Sequence, residues 1–179
     1  MTPRQLLRRT LVVLWVGLVS LPAATPAGAA SEAEIKAAMV FNFTKFIEWT
    51  GPKGDAKAPL VIGVAGDDPI YEALESLVRD RTGGRSVQLR RLDQPVDADT
   101  CHLLYLGRGV KKRLPDFLAG ARRGVVTVGD ADGFTKAGGT IGFLVADNKL
   151  RFEVNLTAAT PAGITISSRL LRLATGVRQ

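Results

Sequence analysis

The spacing of apolar residues changes period several times along the chain. Ile35, Met39, Phe43, Phe46 and Ile47 recur at helical spacing on one stripe, with Asn42 and Trp49 on its margin. Ser31 and Glu34 make an S-x-x-E capping box, and Gly51-Pro52 is a stop signal, so the spacing predicts a helix from Glu32 to about Trp49. "PLVIGVAG" reads as an apolar strand ending near Gly66. Asp67, Asp68 and Pro69 open a second helix whose core side is Ile70, Leu74, Leu77 and Val78. In "SVQLRRL", Val87 and Leu89 alternate with Gln88 and Arg90, which is strand spacing. "CHLLYLG" is almost wholly apolar, as expected of a strand covered on both faces. A helix follows around Leu114 to Arg122, with Pro115 in its first turn, and then the short buried strand "GVVTVGD". "IGFLVADNKLRFEVN" is a hairpin turning at Asp147-Asn148. Leu156 to Ala162 is a short helix, and Ser167 caps a last one, "SRLLRLATGV", with the stripe Ile166, Leu170, Leu173 and Val177. There is no internal repeat and no low-complexity tract. Strands alternating with helices, plus one hairpin, predict an α/β three-layer sandwich with a mixed, mostly parallel central sheet flanked by helices.

The first 30 residues have a different pattern. Arg4, Arg8 and Arg9 precede an apolar run from Leu11 to Leu21, and Ala27-Gly28-Ala29 is an A-x-A site. That is the layout of a cleaved secretory signal peptide, and the run of 11 residues is short of the roughly 20 that span a bilayer. The expected organisation is a signal peptide over 1–30 and a single α/β domain over 31–179. Loss of the three leader arginines lowers the net charge from +7 to +4. That excess concerns solubility and steering and is not evidence for nucleic acid as a partner, and export argues against one. Acidic protein faces and membrane surfaces are the partners it suits.

Few residues are suited to catalysis. Cys101 and His102 are the only residues of their types. As strand neighbours they point to opposite faces and cannot act as nucleophile and base. One histidine and one cysteine do not make a zinc site, so no metal is expected. Cys101 reads as buried and inert, or else as a thiol that pairs between chains. His102 reads as a strand residue with its hydrogen bonds satisfied. "GVAGDDP" has a strand–loop–helix layout, but two aspartates at a helix start repel a phosphate and serve as caps. "DGFTKAGG" lacks the Walker spacing, and its glycines suit turns and close packing. No cofactor and no enzymatic activity are expected.

Three features are left for binding. Phe41 falls off the helical stripe, on the side of Ala37, Lys45 and Glu48. Phe41 and Lys45 are either a contact for another layer of the domain or part of a partner surface. In "LRFEVN", Arg151, Glu153 and Asn155 share one face of a strand, as a solvated row or a recognition strip. Arg169 and Arg172 lie outside the last helix's stripe and either meet acidic groups of a partner or keep the surface soluble.

"AAMVFNFTKFIEW" resembles the opening helix of the YfiR family of periplasmic regulators. So do "PLVIGVAGDDPIYEAL", "CHLLYLGR", "VVTVGDADGF" and "GGTIGFLVADNKLRFEVNLTAATPAGITISSRLLRLA", in order, across the expected mature chain. The resemblance implies a periplasmic, non-catalytic protein that binds and represses the periplasmic domain of an inner-membrane diguanylate cyclase, lowering cytoplasmic cyclic di-GMP. It implies release by an outer-membrane lipoprotein that sequesters the regulator, and relatives form dimers. A sensor kinase is the alternative partner. Relatives pair the cysteine that matches Cys101, whereas here it has no second cysteine, which puts redox control through an internal disulfide in question. The competing reading is a small-molecule binding or sensing protein of the periplasm, although a mature chain of this length has no room for the two lobes of a solute receptor. A hydrolase would need a nucleophile–base pair.

Overall fold

A computed structural model describes residues 30–179, apart from 67, 81, 82, 122, 123, 161 and 162. Residues 1–29 of the expected signal peptide, Asp67, and the predicted helix ends Arg122 and Ala162 lie outside the described residues. Helix α1 (Glu32–Phe43) begins with the expected capping box: Glu34 N–H donates to Ser31 Oγ at 3.2 Å, and Ser31 N–H donates to Glu34 Oε2 at 2.6 Å. It ends six residues before the position predicted. A 3-10 turn, Thr44–Phe46, leads into strand β1 (Ile47–Trp49). The physical reason lies in "FTKFIEW". β-branched and aromatic residues lose side-chain freedom in a helix, and Thr44 Oγ1 bonds back to Phe41 O at 2.7 Å. Ile47 and Trp49 turn inward and Glu48 outward, which is strand spacing.

The rest of the chain forms β2 (Leu60–Ala65), α2 (Ile70–Arg79), β3 (Val87–Leu92), β4 (Leu103–Leu106), α3 (Leu114–Gly120), β5 (Val126–Gly129), β6 (Ile141–Ala146), β7 (Lys149–Asn155), α4 (Leu156–Ala159), β8 (Ile164–Ile166), α5 (Ser168–Leu171) and β9 (Gly176–Arg178). Among the described residues, seven strands make the central sheet in the order β3-β2-β4-β5-β6-β7-β9. Strands β2 to β6 run parallel, β7 is antiparallel to β6, and β9 is parallel to β7. The sheet is therefore mixed and mostly parallel, and the α/β class holds. Strands β1 and β8 form a separate antiparallel pair.

β4 shows why the fold needs helices on both faces. Leu103 and Tyr105 enter the core cluster beneath α1 and α2, while Leu104 and Leu106 enter the cluster beneath α3, and all four are fully buried or nearly so. The hairpin turns where predicted, with Asp147 at φ 50° and Asn148 at φ 56°. Left-handed values at both central residues define the turn whose twist matches a two-residue hairpin.

Two further elements differ from expectation. The last helix stops at Leu171, Leu173 is 64% exposed, and the chain returns as β9 beside β7. A four-residue helix has little cohesion of its own. Thr175 instead donates its N–H and its hydroxyl to Phe152 O, at 2.9 and 3.0 Å, and starts a strand. The buried side of α1 is also rotated from the stripe: Lys36, Ala37, Val40 and Phe43 face inward, and Ile35 is 42% exposed. Ala37 and Val40 are fully buried at this contact. Phe43 stacks against Phe143 and Phe152, with centroids 5.9 and 5.0 Å apart.

Candidate functional site

Helix α1 joins two concavities at opposite edges of the sheet. Its first turns, with Glu32 and Lys36, meet the carboxyl ends of β4 and β5, where Arg108 and Asp130 follow the strands. Its last residues, with Phe41 and the turn that carries Lys45, meet the first residues of β2 and β3, Leu60 and Val87.

The carboxyl-edge cleft has a volume of about 350 Å³ and is built around a buried ion pair. Lys36 Nζ lies 2.7 Å from Asp130 Oδ2 and 2.6 Å from Glu32 Oε1. Burial pulls the Lys36 ammonium down, but the two carboxylates outweigh it and hold it above its ordinary value. The Lys36 bond in turn lowers the Glu32 carboxyl. Arg108 Nε approaches Asp130 Oδ2 at 3.3 Å from an otherwise exposed side chain. Phe134 forms part of the wall and explains the glycine-rich loop. A Cβ at Gly139 would sit 2.1 Å from its ring, and one at Gly129 2.4 Å from it. Within the loop, Gly139 serves close packing, whereas Gly133 and Gly138, at φ 71° and 103° with open space where a Cβ would stand, serve turns, so both expected roles occur.

The amino-edge groove, about 460 Å³, is lined by Phe41, Lys45, Glu48, Trp49, Arg85 and Val87 among others. Phe41 is half-buried against the rim of the main core, and Lys45 Nζ sits 5.4 Å from the centre of its ring. Behind the groove, the His102 imidazole joins three segments. Its Nδ1 accepts Val61 N–H at 3.1 Å, while its Nε2 lies 3.2 Å from Lys53 O and 3.1 Å from Arg85 Nη2. Acceptance at Nδ1 places the proton of the neutral ring on Nε2, where it donates to Lys53 O. Trp49 Nε1–H donates to His102 O at 3.2 Å. His102 is the hydrogen-bonded strand neighbour that was expected. Cys101 is buried against Gly63 and Leu92, and burial raises its thiol pKa.

The seven candidate binding residues do not form one site. Phe41 and Lys45 line the groove. Arg169 and Arg172 are exposed on and after α5, which starts beside the Lys45 turn because Ser167 N–H donates to Phe46 O at 2.9 Å. The β7 row is divided. Arg151 is exposed, and Glu153 lines the cleft and accepts the Thr135 hydroxyl. Asn155 is 4% exposed, so the row is not a flat recognition strip along its whole length. The Asn155 side chain donates to Thr135 O at 3.0 Å and accepts Ala158 N–H at 3.3 Å, which caps α4. Sequence reading missed Lys36, Arg108 and Asp130. The one available signal was a lysine set among the apolar residues of α1. Among the described residues, no group of three or more His, Cys, Asp or Glu is placed to hold a metal, and no helix is long and apolar enough to cross a membrane.

A family model described as YfiR/HmsC-like matches residues 33–175. None of the curated proteins compared matches the chain. Two solved structures share the fold. A conserved domain protein from Vibrio cholerae is 14% identical, with a TM-score of 0.59, over 83% of this chain and 60% of that one. An ABC domain from Streptococcus pneumonia, in complex with L-Trp, is 10% identical, with a TM-score of 0.53, over 81% of this chain and 60% of that one. The chain thus spans about three-fifths of the length of either.

Proposed function

The chain belongs to the YfiR/HmsC-like family, and from that premise we propose a periplasmic, non-catalytic regulator that binds and represses the periplasmic domain of an inner-membrane diguanylate cyclase. Membership of this family is consistent with regulation of cyclic di-GMP signalling. The observation that carries the binding reading is the amino-edge groove, where an aromatic ring and a cation stand together at an open surface. Phe41 is the anchor, and Lys45 orients an acidic partner. Arg169 and Arg172 extend the same basic border, and Arg151 lies apart from it on β7. A buried aromatic contact with a charged rim is how regulatory interfaces combine affinity with orientation. In this reading the leader over 1–30 delivers the chain to the periplasm, and an outer-membrane lipoprotein competes for the regulator.

The test is the cellular cyclic di-GMP level in the native host. Deletion of the gene should raise it, the wild-type gene should restore it, and Phe41→Ala at equal abundance should not. An unchanged level on deletion would reject the cyclase, and capture of a sensor kinase would then identify the alternative target.

A further inference from the structure

In the carboxyl-edge cleft, the buried ion pair leaves one carboxylate oxygen unused. The Asp130 side chain is 5% exposed, and its Oδ2 takes both Lys36 and Arg108. Its Oδ1 has no hydrogen-bond partner. An ionised carboxylate accepts several hydrogen bonds, and a buried oxygen left without one is costly. The surrounding charge is lopsided. Glu32, Asp130, Asp132 and Glu153 line the cleft against Lys36 and Arg108, four carboxylates to two cations. Lys36 is already shared between Glu32 and Asp130. Opposite stands an apolar wall from the β6–β7 hairpin, including Phe143 and Leu150. The position, outside the carboxyl ends of parallel strands, is where open α/β sheets place their ligands.

We propose that this cleft binds a small organic cation, a primary ammonium carried on an apolar body. The ammonium engages the Asp130 carboxylate in place of the Arg108 guanidinium, whose side chain is 73% exposed. Asp132 and Glu153 complete the negative surround, and the apolar body lies on Phe143 and Leu150. An anion would meet net negative charge. This inference does not depend on which protein occupies the groove.

The test uses the purified protein, ¹⁵N-labelled, titrated with 2-phenylethylamine and, separately, with its neutral counterpart 2-phenylethanol. Saturable shifts of the Ala131, Gly133 and Gly142 amides are expected with the amine and not with the alcohol. Asp130→Asn should weaken binding at least about tenfold. If that variant does not fold, Asp132→Asn and Glu153→Gln serve instead. Both leave the Lys36 ion pair in place, and each should weaken binding roughly two- to fivefold. Absence of saturation by about 10 mM amine, a value already weaker than a millimolar site, would overturn the proposal. So would equal shifts with the alcohol, or saturation confined to the groove residues.

Discussion

The two ends of α1 treat charge in opposite ways. At the carboxyl edge, Lys36 and Asp130 are buried, in direct contact and tied to Glu32. At the amino edge, Lys45 and Glu48 are exposed, and the burial is done by aromatic rings. A buried charge pair is unforgiving, because removing one partner leaves the other uncompensated in a poor solvent. A half-buried aromatic beside an exposed cation is more tolerant, because neither group depends on a single buried partner. One helix therefore links a buried ion pair at its start to an exposed, charged rim just beyond its end.

The sharpest way to break this contrast is at the anchor. Asp130→Ala should destabilise the fold by about 3–5 kcal/mol in urea unfolding, since Lys36 stays buried without it. The double change Lys36→Met with Asp130→Leu should cost less than Asp130→Ala alone. A loss below about 1 kcal/mol for Asp130→Ala would mean that the pair behaves like an exposed one, and the contrast would vanish. Next in size is the cleft wall. Gly139→Ala puts a methyl 2.1 Å from the Phe134 ring, and a cost of about 2–3 kcal/mol is expected from overpacking. Adding Phe134→Leu should recover part of it, whereas no recovery would place the strain in the backbone.

The groove should respond more mildly. Phe41→Ala removes a ring that is only half-buried, so about 1–2 kcal/mol of stability is expected to go, below the range for a fully buried phenylalanine. Capture of the membrane partner should fall much further than stability. Lys45→Ala should stay within about 0.5 kcal/mol of wild type in stability and still weaken capture. Capture that tracks stability across both variants would make the groove an ordinary part of the core.

How much of this the sequence disclosed follows from the range of each interaction. The capping box, the hairpin turn and the continuous apolar run of β4 were readable because each is dictated by neighbours in the chain. β1 and β9 were not, since each is three residues long and exists only through pairing with a distant strand, β8 or β7. Local spacing continues the helical period through Ile47 to Trp49, because it does not show that pairing. The groove was half legible: Phe41 stood out as surplus, yet Trp49 and Arg85 join it only in the fold. The cleft was hidden altogether. Lys36 and Asp130 are 94 residues apart, and singly they look like a helix lysine and a loop aspartate.

The smallest expected effect is a pH dependence at the groove's rear wall. Burial first, and the neighbouring Arg85 cation second, hold the His102 imidazole below its ordinary value of 6.5. The unfolded chain therefore binds this proton more readily than the folded one. The linkage stabilises the fold fully above the unfolded value, and the contribution declines as pH falls from about 6.5 toward the lower folded value. The geometry gives the reason. A proton on Nδ1 would face the Val61 N–H, and the new charge would sit beside Arg85 and Lys53. Urea midpoints measured between about pH 7.5 and about pH 5.5 should fall toward acid, and His102→Gln should flatten that slope while lowering the midpoint throughout. The same titration should leave the Lys36 pair untouched, because its ammonium is held above its ordinary value and Glu32 below its own. A slope that survives His102→Gln would move the acid sensitivity to carboxylates elsewhere. A slope that disappears would show that mild acid loosens the amino-edge wall while the carboxyl-edge anchor holds.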